Sequence, residues 1–171
     1  MCSNPCSRRD CRVSDTHNVN ALLTAFQQGL VSKGLIQRGK VQALAETIIQ
    51  RFAVKTPDAQ TRARSLSGGN LQKFILGREI LQNPRLLVAA HPTWGVDVGA
   101  AAAIHRALIV LRDAGAAILV ISEDLDELFQ ISDRVAALSA GRLSSLAPTA
   151  QTSQVQVGGW MAGQFDAAPI I

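Results

Sequence analysis

Leu66-Ser67-Gly68-Gly69-Asn70-Leu71-Gln72 is the stretch on which the reading of this chain turns. It leads directly into a helical pattern from Asn70 to Leu81, with Leu71, Phe74, Ile75 and Ile80 apolar and Asn83-Pro84 as its stop. The amides of a helix's first turn have no acceptor within the helix, and the helix dipole places positive charge there. Two glycines let an anion come close, so the segment has the makings of a phosphate site. Ser67, Gly68 and Gly69 equally describe a serine-capped turn, so the order of the surrounding segments has to decide.

On the N-terminal side, residues 1–18 have no apolar period and are expected to be an unstructured tail. Cys2, Cys6 and Cys11 all fall in it, with no later Cys or His at metal-ligand spacing, so no metal site is expected. Structure is expected to begin near Val19, where Ala21, Leu22, Ala25 and Phe26 follow a helical stripe. Gly29, Gly34 and Gly39 predict loop. Val41 to Phe52 predicts a helix with Leu44, Ile48 and Ile49 on one face, ended by Pro57-Asp58, and the segment to Leu66 reads as polar linker.

On the C-terminal side the alternation changes. Leu86 to Ala90 and Ala117 to Ile121 are short apolar runs flanking a helical stretch, Val98 to Asp113, which predicts a strand-helix-strand unit with parallel strands. A helix from Leu125 to Ile131, a strand from Arg134 to Leu138 and a turn at Gly141 into a last short strand follow. The fold class is α/β, with a sheet short of strands for its type.

The hydrophobic fraction of 47% and charged fraction of 18% are those of a globular domain. No apolar run reaches the roughly 18 residues a membrane helix needs. A net charge of +4 raises the question of nucleic acid, but aromatics are only 4% and no basic stripe with interleaved aromatics occurs, so no nucleic-acid partner is expected.

Leu66 to Gln72 resembles the signature motif of ATP-binding-cassette (ABC) ATPases, and the later segments fall in that family's order. Leu86 to Ala90 with His91-Pro92-Thr93 resembles the Walker B strand and its loop, and Gly95-Val96-Asp97 the D-loop. Ile118 to Ser122 with Glu123 to Glu127 resembles the switch strand and helix, and Asp133-Arg134-Val135 with Gly141-Arg142-Leu143 the elements after it. Pro92-Thr93, Gly95 to Ala100, Ser122 to Glu127 and Trp160 to Gly163 resemble the second cassette of importers for simple sugars and nucleosides. The resemblance implies a partial P-loop NTPase-like fold. A helical subdomain with the signature would span 19–84, the C-terminal part of the ATPase core 85–147, and a C-terminal helix and tail 148–171.

The sequence departs from the family at the hydrolytic positions. Ala90 and His91 stand where the family has its magnesium-binding aspartate and catalytic glutamate, and Glu123 stands where it has the switch histidine. Alanine supplies no oxygen ligand for magnesium. The imidazole of His91 can accept a proton, but with Glu123 also degenerate, His91 is read as a polar side chain left where hydrolysis was lost. Neither a Gly-x-x-x-x-Gly-Lys-[Ser/Thr] loop nor a Q-loop occurs, so the Walker A half is missing; Lys33 and Lys40 do not end such a run.

The resemblance implies a divided site. Ser67, Gly68, Gly69 and Gln72 would meet ATP held by a second ABC cassette, Asp97 would lie at the interface, and magnesium would enter through the partner only. The chain would then be the ATP-binding part of a sugar or nucleoside importer, on the cytoplasmic side of the inner (plasma) membrane and peripheral to it through transmembrane permease subunits. The alternative is a non-catalytic interaction module or a truncated reading frame without independent activity. A chromosome-maintenance ATPase is disfavoured, because no heptads precede the signature.

Overall fold

A computed structural model describes residues 15–22, 29–32 and 34–165 of the chain. The chain divides into two compact units, residues 1–121 and 122–171. The Cys-bearing part of the tail, Ala25, Phe26 and Lys33 lie outside the described residues.

The first unit contains α1 (His17–Leu22), a hairpin of β1 (Val31–Ser32) and β2 (Leu35–Ile36), α2 (Arg38–Arg51), α3 (Gly68–Ile80), β3 (Leu86–Ala90), α4 (Val98–Asp113) and β4 (Ala117–Ile121). β3 and β4 pair in parallel, Leu86 opposite Ala117 through Ala90 opposite Ile121. The bounds of β3, α4 and β4 coincide with those the sequence predicts. Asp97 starts α4 by accepting a hydrogen bond from the Ala100 amide, and Gly115, at φ +96°, turns the chain into β4. The alternation of the strands gives the sheet one covered and one open face: Leu86, Val88, Leu119 and Ile121 are half or more exposed, whereas Leu87 and Ala89 are 6% exposed.

α2 and α3 pack closely because α3 has a glycine where they meet. A β-carbon on Gly77 would overlap the ring of Phe52. Phe74 of α3 is fully buried, and His17 of α1 stands edge-on to it at 4.8 Å between ring centres. Arg78, also buried, pairs with Glu79 at 2.7 Å and donates to the Asn20 carbonyl at 3.1 Å.

Three expectations for the first unit need correction. Order begins before Val19: the Asp15 carbonyl accepts from the Ala63 amide, Thr16 bridges Arg62, and the His17 amide donates to the Thr61 carbonyl. This pairing rests on backbone groups and has no apolar period to announce it. The segment after Pro57 is no loose linker, since Ala59 and Ala63 are buried and Ala63–Ser65 forms a 3-10 turn. The Asp58 carboxylate organises its start, accepting from the Gln60 amide and the Thr61 hydroxyl at 2.9 Å each. The stretch between Gly29 and Gly39 holds the β1-β2 hairpin and the start of α2 in place of loop.

The second unit contains α5 (Leu125–Ile131), β5 (Arg134–Val135), β6 (Leu138–Ser139), β7 (Arg142–Leu143), β8 (Ala147–Pro148) and α6 (Gln154–Met161). The single strand expected over Arg134 to Leu138 is two: β5 pairs with β8, and β6 pairs with β7. The β6-β7 turn has Ala140 and Gly141 both at positive φ, the backbone of a tight two-residue hairpin. Val135, Ala137, Val157 and Trp160 form the core of this unit, with Leu125, Phe129, Ala147 and Phe165 packed against it.

Two measurements check this account. Leu87→Ala should cost about 2 to 5 kcal/mol in urea unfolding, and Val88→Ala, on the open face, under about 1 kcal/mol. The second concerns pH. Both ring nitrogens of His17 are buried without a hydrogen-bond partner, and burial lowers its pKa below the ordinary 6.5, the Thr61 carbonyl and Asp58 carboxylate offsetting this in part. The unfolded chain therefore takes up a proton that the folded one refuses. Stability is full above the ordinary value and falls as pH drops below it, so the urea midpoint should decline from about pH 7 to pH 5. His17→Leu should flatten that decline.

Candidate site at the start of helix α3

Ser67 caps α3 from an extended backbone, its hydroxyl accepting from the Asn70 amide at 3.4 Å and from the Asn70 side-chain nitrogen at 3.0 Å. Asn70 in turn accepts from the Lys55 amide at 2.9 Å, which ties the cap to the chain beyond α2. Gly68 and Gly69 occupy the first helical positions, where the amides have no intrahelical acceptor. Ser67 and Gly68 are exposed.

The two glycines differ in their surroundings. A β-carbon on Gly69 would overlap the Gly95 carbonyl oxygen, so α3 and the loop that ends at Asp97 are in backbone contact. A β-carbon on Gly68 would meet nothing within 4 Å. Packing within the chain thus requires glycine at 69 and not at 68.

Gln72, one turn further, donates to the His91 carbonyl at 3.2 Å, so its amide is held against the loop after β3. Lys73 beside it is buried, with its ammonium 3.4 Å from Asp97 Oδ2 and 3.4 Å from the Ala53 carbonyl. Asp97 Oδ1 accepts from the Ala100 amide at 2.9 Å. That amide, and then Lys73, hold the Asp97 carboxyl below the usual carboxylate range.

His91 extends the β3-β4 ladder by one bond, its amide donating to the Ile121 carbonyl at 2.7 Å. It sits in the left-handed region at φ +49°, a conformation costing about 1 kcal/mol or more for a residue with a β-carbon. Its ring lies 6.0 Å from that of Trp94, tilted by 58°. The side chains of Ala90 and His91 present no oxygen ligand, so they do not fit a magnesium ion. Glu123 is exposed in the second unit.

The structure therefore brings Ser67, Gly68, Gly69, Gln72, His91 and Asp97 together in the first unit around the start of α3. Sequence reasoning missed Lys73, and it placed Asn70 and Gly95 in motifs without giving either a role of its own. Lys73 had a signal in its spacing i, i+4 from Gly69, which places it on the same side of the helix; the contacts of the other two are recognisable only once the chain folds.

No family model matches the chain. It is 43% identical over 145 residues to the guanosine import ATP-binding protein NupO of Bacillus subtilis, covering 84% of this chain and 28% of that protein. It is 39% identical over 143 residues to the nucleoside import ATP-binding protein NupA of Lactococcus lactis, and 36% identical over 149 residues to the ribose import ATP-binding protein RbsA 1 of Rubrobacter xylanophilus. These matches cover 84% and 87% of this chain, and 28% and 30% of the relatives. The chain thus spans less than a third of the length of the relatives it matches. Among solved structures, the ATP-binding cassette MJ0796, dimeric in a post-hydrolysis state with ADP and Pi, superposes with a TM-score of 0.69 at 18% identity. That match covers 81% of this chain and 59% of that cassette, and shows the fold.

Substitutions at the two glycines separate their roles. Gly68→Ala should leave thermal stability unchanged or raise it by up to about 1 kcal/mol, since alanine suits the first helical turn better. Gly69→Ala should lose about 1 to 3 kcal/mol, because backbone has to move. Thermal unfolding of both variants checks this. In sequence, in the order of its motifs and in its α/β fold, this chain is similar to part of the ATP-binding cassette of these import ATP-binding proteins.

Proposed function

We propose that this chain contributes the signature segment to a composite ATP site, the nucleotide and its magnesium being held by a second cassette, in an importer for simple sugars or nucleosides. The observation that carries the reading is Gly68: an exposed glycine in the first turn of a 13-residue helix, with open space where its side chain would be. Glycine there serves the close approach of something outside the chain. The helix N-terminus fits a γ-phosphate, through the amides of Gly68 and Gly69 and the Ser67 hydroxyl. Donors fixed before the reaction stabilise the charge that develops during phosphoryl transfer, and losing one costs about 10²- to 10³-fold in rate.

The other face of the reading is the end of β3. Ala90 and His91 offer neither a side-chain ligand for magnesium nor the usual carboxylate base, so the chain's own site is the degenerate one. In this reading residues 19–84 serve as the signature-bearing part, 85–147 as the C-terminal part of the ATPase core, and 148–171 as a terminal helix and tail. No helix among the described residues is long and apolar enough to cross a membrane; attachment to the cytoplasmic face of the membrane would come through permease subunits. The names of the matched relatives, importers of guanosine, nucleosides and ribose, support the solute class.

A second reading, a non-catalytic interaction module, is favoured by the open apolar face of Leu86, Val88, Leu119 and Ile121. Mixing the chain with a cassette that has an intact phosphate-binding loop decides between them. Added chain should raise ATP turnover, and Ser67→Arg should abolish the gain by filling the phosphate approach with a long side chain. A chain that neither stimulates turnover nor responds to Ser67→Arg would leave the second reading standing.

A further inference from the structure

The face of α3 made by residues 69, 72 and 73 grips the loop from His91 to Asp97 at three points. Gly69 meets the Gly95 carbonyl, Gln72 donates to the His91 carbonyl, and Lys73 pairs with Asp97. These positions lie at i, i+3 and i+4 and so share one side of the helix. The first contact is steric and the second a neutral hydrogen bond; the third is a charge pair, and its two partners are unequally placed. The Lys73 side chain is 7% exposed and that of Asp97 67%.

A buried ammonium is an expensive way to fill space. Methionine would occupy the same channel without desolvating a charge, and exchanges of buried charges for apolar groups are often neutral or stabilising. The ammonium nevertheless stands between two oxygens drawn from different elements. One is the carbonyl of Ala53, in the left-handed turn at φ +49° that follows α2. The other is Asp97 Oδ2, whose sister atom Oδ1 caps α4. One carboxylate thus starts a helix with one oxygen and is steered by Lys73 with the other.

We propose that Lys73 is a positioning residue, which holds the Asp97 loop in register with Ser67 and Gly68 so that both reach a partner-held ATP together. The functional half of this inference rests on the composite-site reading above; the mechanical half does not. Lys73 touches no nucleotide. Its work is to fix the loop, and a misplacement of about 1 Å at such a site costs on the order of 10²-fold in rate.

Two experiments on the full chain test it. In the first, stimulated ATP turnover is measured with the partner cassette. Lys73→Met should lower kcat about tenfold or more with KM for ATP changed less than about twofold, because the nucleotide is bound by the partner and the fault appears only as reaction geometry is reached. Lys73→Arg, which keeps the charge and the donors, should restore kcat. In the second, hydrogen exchange is followed across residues 94–101. Lys73→Met and Asp97→Asn, the latter keeping a capping oxygen for the Ala100 amide, should each accelerate exchange about fivefold or more, with the double variant no faster than either single one. Unchanged exchange, additive effects, or unchanged kcat with accelerated exchange would each overturn the proposal. Absence of stimulation by the unaltered chain would instead sink the composite-site reading, while the exchange experiment still decides whether Lys73 steers the loop.

Discussion

The backbone of Gly69 lies so close to the Gly95 carbonyl that no side chain fits between them. Much of the first unit's candidate site follows from that contact. It brings the first turn of α3 against the loop leaving β3, and so places Gln72 within reach of the His91 carbonyl and Lys73 within reach of Asp97. The loop is anchored at its other end by the bond from the His91 amide to Ile121, an extension of the parallel ladder. A segment of seven residues, 91–97, is thereby fixed from both sides, by a helix and by a sheet.

The geometry of this segment does not depend on which side chains stand at the end of β3. β3 pairs with β4 through all five of its residues with Ala90 at the end and His91 beyond it. Backbone hydrogen bonds and the burial of Leu87 and Ala89 specify the strand, and neither depends on an acidic side chain at its tip. The side chains at that tip can therefore vary without loss of the fold. The start of α3 is the contrasting case, because in the composite-site reading backbone amides are themselves the functional groups, and the fold cannot be kept without keeping them.

How much of this was legible beforehand depended on which physical signal each element sends. β3, α4, β4 and α5 were readable to the residue, since apolar runs, an aspartate cap before each helix and a glycine after α4 mark their ends. The strand over Arg134 to Leu138 was not, because its two halves pair with different partners, and partner choice leaves no local trace. Residues 15–18 and the stretch from Ala59 to Ser65 escaped for a related reason: they order each other through backbone bonds between positions more than forty residues apart. At the candidate site, Ser67, Gly68 and Gly69 announced themselves by motif, while Gly95 and Lys73 gained meaning only from the contact with α3.

The dipole of a helix acts from its first turn, so the length of α3 adds little to the attraction of an anion. What the length provides is stiffness. Nine residues past Gly68, the backbone of Gly77 presses on the ring of Phe52, and between them Phe74 is fully buried against the edge of His17. Arg78 is buried with its guanidinium on the Asn20 carbonyl, which ties the same stretch of helix to α1. The C-terminal half of α3 is thus clamped in the core while its start at Gly68 stands exposed, and the clamps are sterically exacting ones. An exposed turn ordinarily frays. Here the Ser67 cap, the Asn70 bond to Lys55 and the grip on residues 91–97 hold it from outside, and the clamped half holds it from within. In the composite-site reading, amides that meet a phosphate need both properties at once, free on one side and immobile on the other, and a helix anchored at its far end supplies them.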